Sequence, residues 1–97
     1  FRRVLFRASF DPAKDEWNLR VRGLSFLAAA DFDFENALYA VDDRRDYGET
    51  RYVALGMLRD RLHVLCFIET DDGIRVISFR KANAREVRRY EKTQIID

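Results

Sequence analysis

One cysteine, one proline, one histidine and four glycines in 97 residues rule out several kinds of chemistry at once. A lone Cys66 permits neither an internal disulfide nor a CxxC metal half-site, which fits a reducing cytoplasm. The chain has no Gly-rich phosphate loop, no HExxH and no Ser-His-Asp trio in recognisable spacing. No apolar run approaches the roughly 20 residues needed to span a bilayer. The longest clean stretch, Leu62–Ile68, has His63 inside it. The opening FRRVLFRASF lacks a small-residue cleavage site and reads as an edge strand rather than a signal peptide. Neither sign of charge dominates: 18 Lys+Arg against 17 Asp+Glu gives +1. Distribution, not total charge, must carry any electrostatic argument.

What is present is a folded chain, 47% apolar and 36% charged. Its length fits a single domain, 1–97, large enough for one sheet covered by helices. Residues 4–10 suit a strand. Asp11-Pro12 then predicts a helix start, with Asp capping and Pro in the first turn, and Gly23 predicts its end. Ser25 predicts a second N-cap, before a helix whose apolar face holds Phe26, Ala29, Ala30 and Phe34. After Asn36 the pattern changes to ALYAV, TRYVALGML, LHVLCFIE and IRVISFRK, separated by polar turns, as in an antiparallel meander. Asn83 and Glu86 have capping-box spacing, predicting a C-terminal helix. The expected fold class is therefore α+β. An antiparallel sheet, made of a three- to four-stranded meander plus an N-terminal strand, is joined by two N-terminal helices and one C-terminal helix.

If Arg59-Asp60 is a two-residue turn, residue 58 opposes 61. Val53, Leu55 and Met57 then share a face with Cys66, Val64 and Leu62. With Glu69 opposite Ile74, that face continues through Ile77 and Phe79 and forms the core under the helices. Tyr52, His63, Phe67, Glu69, Ser78 and Arg80, with Leu65 and Val76, fall on a mixed, partly polar face. Among chemical groups, His63 reads first as a packed histidine, and Asp42-Asp43 and Asp71-Asp72 as ordinary turn residues without a metal. Cys66 is expected to point to the core, and Trp17 to pin the first helix to the sheet, with contact to a partner as its alternative. Two clusters remain. One is Arg80-Lys81 followed by Arg85, Arg88, Arg89 and Lys92; on this last helix Ala84, Val87 and Tyr90/Glu91 form the inward stripe. The other is the loop Asp46–Tyr52, which on its own reads as charges pairing among themselves.

Four segments, in order, resemble the BrnT family of bacterial toxins, the ribonuclease halves of type II toxin–antitoxin pairs. They are FDPAK (10–14), NLR…SF (18–26), DDRRDYGETRYVALG (42–56) and RVISFRKANAREVRRYE (75–91). Where that family often carries Lys-His-Gly, this chain has Val21-Arg22-Gly23, so any role resting on that histidine is absent or passes to Arg22. The family's Asp-Gly at the first hairpin turn is here Arg59-Asp60. The resemblance implies a RelE-like fold and cleavage of RNA in the cytoplasm, with no metal, other cofactor or membrane. It also implies neutralisation by a BrnA-type antitoxin, which alone would contact operator DNA through a ribbon-helix-helix dimer.

Metal-free cleavage of RNA uses the substrate's 2′-OH as nucleophile. It needs a base, an acid and cations for the charge that builds on phosphorus. Arg80 and Lys81 suit the cationic role. Glu49 is a base if Arg51 orients it; His63 or Glu69 substitutes if either shares Arg80's face. Arg85, Arg88 and Arg89 would track the RNA backbone, with Tyr90 or Tyr52 stacking a base. The alternative is a degenerate toxin-like module that binds antitoxin or nucleic acid without cleaving.

Overall fold

The computed structural model describes residues 7–94. Helix α1, Pro12–Arg22, begins where the sequence predicts. Asp11 Oδ1 accepts from the Ala13 N–H at 2.9 Å, and Pro12 takes a first-turn position whose N–H has no helical partner to lose. It ends at Gly23, whose φ of 68° is the left-handed cap that glycine adopts without a Cβ penalty. The second expected helix is a 3₁₀ segment instead, Phe26–Asp31. Ser25 does cap it, accepting from Leu27 N. Its buried residues are Phe26, Ala29 and then Phe32, a spacing of three that suits three residues per turn, and Ala30 is left exposed. Two bonds fix the ends of the segment. Phe26 N donates to Asp15 at one end, and Asp33 N is drawn to Met57 O at the other.

The strands are β1 Arg7–Ser9, β2 Leu38–Val41, β3 Tyr52–Leu58, β4 Arg61–Thr70 and β5 Gly73–Lys81, in sheet order β1-β5-β4-β3-β2. Of the N-terminal strand expected over 4–10, residues 4–6 lie outside the described residues. The meander β2 to β5 is antiparallel, but β1 pairs with β5 in parallel, Arg7 opposite Gly73, so the sheet is mixed. A parallel pair needs a long crossover, and α1 and the meander together supply it. A Cβ on Gly73 would collide with the Arg7 backbone, so this close approach depends on glycine.

The first hairpin has the expected register, Leu58 opposite Arg61, with Arg59 itself adopting a φ of 56°. In the second hairpin Glu69 does oppose Ile74, but a bulge follows. Phe67 pairs with Val76 and Cys66 with Ser78, leaving Ile77 as the extra residue. The bulge reverses the expected faces of β5: Phe79 lies opposite Leu65, while Ser78 and Arg80 join Cys66 and Val64. The face expected to be mixed is thus the larger core. There Ala54, Leu65, Phe67, Ile74, Val76 and Phe79 pack under Phe26, Ala29 and Phe32. On the opposite face Leu55, Leu62 and Val64 are covered by Val87 and Tyr90 of α2, Ala84–Gln94. The sheet is the middle of three layers, not the floor of two. Ala84 and Glu91, expected to face inward, are exposed.

Beyond Gly73–Arg75, β5 has no neighbouring strand on its β1 side among the described residues. Helix α1 takes that place. The side chain of Asn18, 1% exposed, donates to Phe79 O at 2.8 Å and to Leu24 O at 2.9 Å. Its Oδ1 accepts from Arg22 Nη1 at 3.2 Å, so the amide is saturated where water cannot replace a partner. Asn18→Ala removes both donors and strands two carbonyls. We expect a loss of about 2–4 kcal/mol in urea unfolding, against under about 1 kcal/mol for exposed Leu19→Ala.

Candidate active site at the end of β5

Strand β5 ends in Arg80-Lys81, and the chain turns at Ala82 into the cap of α2. The capping box forms as its spacing predicts: Glu86 N donates to Asn83 Oδ1 at 2.9 Å, and Asn83 N to Glu86 Oε1 at 2.8 Å. The same carboxylate also takes Arg80 in a fork, Nη1 to Oε1 and Nη2 to Oε2, both at 2.9 Å. A third N–H of Arg80 reaches Lys81 O at 3.2 Å. Hydrogen bonding to Glu86 raises the Arg80 pKa, and the reciprocal bond holds the Glu86 carboxyl below its ordinary value. Arg80 is therefore a held cation rather than an open one. The sequence signal was available: the residue that completes the cap also sits one turn from the strand end.

Arg22 was considered in the sequence only as a stand-in for a histidine. The last turn of α1 brings it to the same place. Its guanidinium lies 5.0 Å from the Trp17 ring centroid and is anchored by Asn18 Oδ1, with Phe79 O at 3.5 Å. Arg22, Leu24, Arg80 and Lys81 together line a cleft of about 220 Å³. Three basic residues from two elements thus border one cleft, Arg80 and Lys81 reaching it from opposite faces of β5, and its volume suits a phosphate group.

The other expected groups lie elsewhere. His63 is buried on the opposite face from Arg80, with its ring 5.6 Å from that of Phe79. Its Nδ1 lies 2.8 Å from Arg61 O and therefore carries the proton. Burial depresses its pKa, and the charges of Arg61 and Lys81 add to the effect. Glu69 shares the face of His63, so neither meets the condition set for a substitute base. Tyr52 stacks on Phe67 at 5.7 Å, and Tyr90 packs inward beside Val87. Neither lines the cleft. Arg85, Arg88 and Arg89 are exposed along α2. Among the described residues, no group of three His, Cys, Asp or Glu side chains could hold a metal ion.

Glu49 and Arg51 do pair, Oε2 to Nε at 3.3 Å, in the loop between β2 and β3. Arg51 is held over the Tyr47 ring at 4.0 Å, with Arg45 at 5.0 Å from the same ring. The anchor of this loop is Asp42, which read in sequence as an ordinary turn residue. Its side chain is almost wholly covered and accepts from Arg44 Nε and Nη2, both at 2.8 Å, and from Tyr47 OH at 3.2 Å. The Arg44 bonds lower its pKa to about 2. Cys66 lies between the two groups. It pairs with Ser78, two residues before Arg80, and its thiol feels the charges of Asp42, Arg51 and Arg44 while burial pushes its pKa up.

The family model for BrnT, the ribonuclease toxin of type II toxin–antitoxin systems, matches residues 10–86. The chain belongs to the BrnT family. Its fold is similar to the 1.1 Å crystal structure of the Brucella abortus ribonuclease toxin BrnT. The TM-score is 0.58 at 25% identity, over 80% of this chain and 97% of that one. No curated protein matches the chain. The stretch that matches the BrnT model contains Arg22, Glu49, Arg51, Arg80, Lys81 and Glu86. It stops short of Arg88, Arg89 and Tyr90.

Asp42 also sets a pH dependence. Its carboxyl is depressed from 3.8 to about 2 in the fold. The stability it contributes is fully present above the unfolded value and is lost as pH falls through the folded one. Urea midpoints should therefore drop between about pH 4 and about pH 2, and Asp42→Asn should flatten that drop.

Proposed function

We propose that this chain is a metal-independent endoribonuclease toxin, cleaving RNA by attack of the 2′-OH on the adjacent phosphate. The observation that carries the reading is that Arg22, Arg80 and Lys81 all line one cleft at the end of β5. In-line attack builds negative charge on the phosphoryl oxygens, and fixed cations stabilise that state most when they need not reorganise. Arg80 is held by Glu86 and Arg22 by Asn18, so both guanidiniums are oriented before substrate arrives. Lys81 supplies the mobile point charge. Glu49, paired with Arg51 in the β2–β3 loop and outside the lining of the cleft, is the residue we assign as acceptor of the 2′-OH proton, and the exposed arginines of α2 guide the RNA backbone. The toxin acts in the cytoplasm. A BrnA-type antitoxin neutralises it and contacts operator DNA through its own ribbon-helix-helix dimer.

One feature favours a second reading, a degenerate module that binds RNA or antitoxin without cutting: among the described residues no carboxylate or histidine lines the cleft. Purified protein incubated with RNA in EDTA separates the two. Cleavage leaving 2′,3′-cyclic phosphate ends supports the enzyme; intact RNA bound in a salt-sensitive complex supports the binder. For the enzyme, Lys81→Ala and Arg22→Ala should each lower the rate by about a hundredfold to a thousandfold. Arg80→Ala also releases α2, so Glu86→Gln serves as its control. Loss of cleavage in the Arg80 variant, with cleavage retained in the Glu86 variant, assigns Arg80 to the chemistry. Full activity in Lys81→Ala and Arg22→Ala would remove the cleft from the mechanism.

A further inference from the structure

β2 closes the sheet at its far side and pairs with β3 alone, leaving the backbone of its outer edge open among the described residues. Proteins commonly blunt such an edge with lysine, proline or a bulge. Leu38-Tyr39-Ala40-Val41 has none of these. Instead Tyr39 and Val41 stand 44% and 55% exposed. They project to one face, Tyr39 opposite Ala54 and Val41 opposite Tyr52.

Beside them lies an open cleft of about 230 Å³ lined by Tyr39, Tyr52, Phe67 and Glu69. Phe67 is its buried floor, with Tyr39 edge-on at 6.4 Å and Tyr52 stacked at 5.7 Å. The Tyr39 hydroxyl donates to Phe34 O at 2.6 Å, which fixes the outer wall. The exposed ring of Tyr39 and the half-buried ring of Tyr52, with the Glu69 carboxylate beside them, attract a cation twice, through the ring quadrupoles and through charge. Nucleic acid fits poorly. A base brings phosphates with it, no cation among the described residues lines this cleft to meet them, and Glu69 repels them.

We propose that the β2 edge and this cleft form a docking strip for an extended segment of a partner protein. The segment adds to β2 as a strand, and one of its arginine or lysine side chains is held among Tyr39, Tyr52, Phe67 and Glu69. Backbone pairing supplies affinity and the caged cation supplies register. The strip is separate from the cationic cleft: along β4, Phe67 is roughly 13 Å from His63, the residue paired with Lys81. That the partner is the antitoxin rests on the toxin reading; the preference for a cation does not.

The test is an NMR titration of the labelled protein with acetyl-Val-Arg-Val-amide, acetyl-Val-Gln-Val-amide and guanosine monophosphate. The arginine peptide should shift the Tyr39 and Tyr52 ring signals and the β2 amides saturably, with the glutamine peptide at least about tenfold weaker. Glu69→Gln, an exposed and isosteric change, should weaken the arginine peptide about fivefold while the remaining spectrum stays unchanged. Three results overturn the proposal: equal binding of the two peptides, a stronger response to the nucleotide at the same rings, or no saturable shift there. None of these readings involves RNA cleavage or the antitoxin, so the strip and the ribonuclease reading fail separately.

Discussion

The amide of Asn18 is the interaction on which the rest of the molecule depends. Among the described residues β1 pairs with β5 only from Arg7 to Ser9, and no strand accompanies the later part of β5 on that side. One side chain from α1 fills the role of the missing strand at Phe79 O, and its second N–H ties down the turn after the helix at Leu24 O. The position is tightly constrained. Phe79 is buried in the core on one side of its own carbonyl, so neither strand nor helix can shift without exposing that ring or orphaning that oxygen. Because Asn18 Oδ1 also holds Arg22, the side chain that closes the sheet is the one that places a cation in the cleft with Lys81.

A similar economy governs the basic run at the C-terminal end. Arg80 and Glu86 are six residues apart and on different elements, yet one carboxylate completes a helix cap and fixes a guanidinium. The run is therefore not uniform. Its strand-end part is ordered and partly neutralised, while Arg85, Arg88 and Arg89 on α2 remain solvated. Exposed cations of that kind interact weakly and in a salt-dependent way, whereas oriented ones select geometry.

The features legible in sequence were those set by neighbours along the chain. The Asp11 cap, the Gly23 stop, the Leu58–Arg61 hairpin and the Asn83–Glu86 box each need only a few consecutive residues, and all are present. What was not legible depends on partners distant in sequence. Parallel pairing of β1 is decided against residue 73, and the ends of the 3₁₀ segment 26–31 are tied to Asp15 and Met57. The bulge had the largest consequence, because it exchanged the faces of Phe79 and Arg80 without changing a single residue. In the site, Arg80 and Lys81 were found from composition and position. Arg22, Asn18 and Asp42 were not singled out for their roles, because an amide or carboxylate in a helix or turn has no distinctive pattern until its partner is known.

The bulge at Ile77 carries a further meaning for how this sequence can vary. It acts as a phase shifter, splitting β5 into two halves with opposite side-chain parity. Exchanging Ile77 for another apolar residue preserves that parity. Deleting it, or inserting beside it, would turn Phe79 out of the core and drive Arg80 toward it in one step. This stretch of chain is thus permissive in identity and strict in length, and descendants of such a sequence can drift in composition here only while keeping the count.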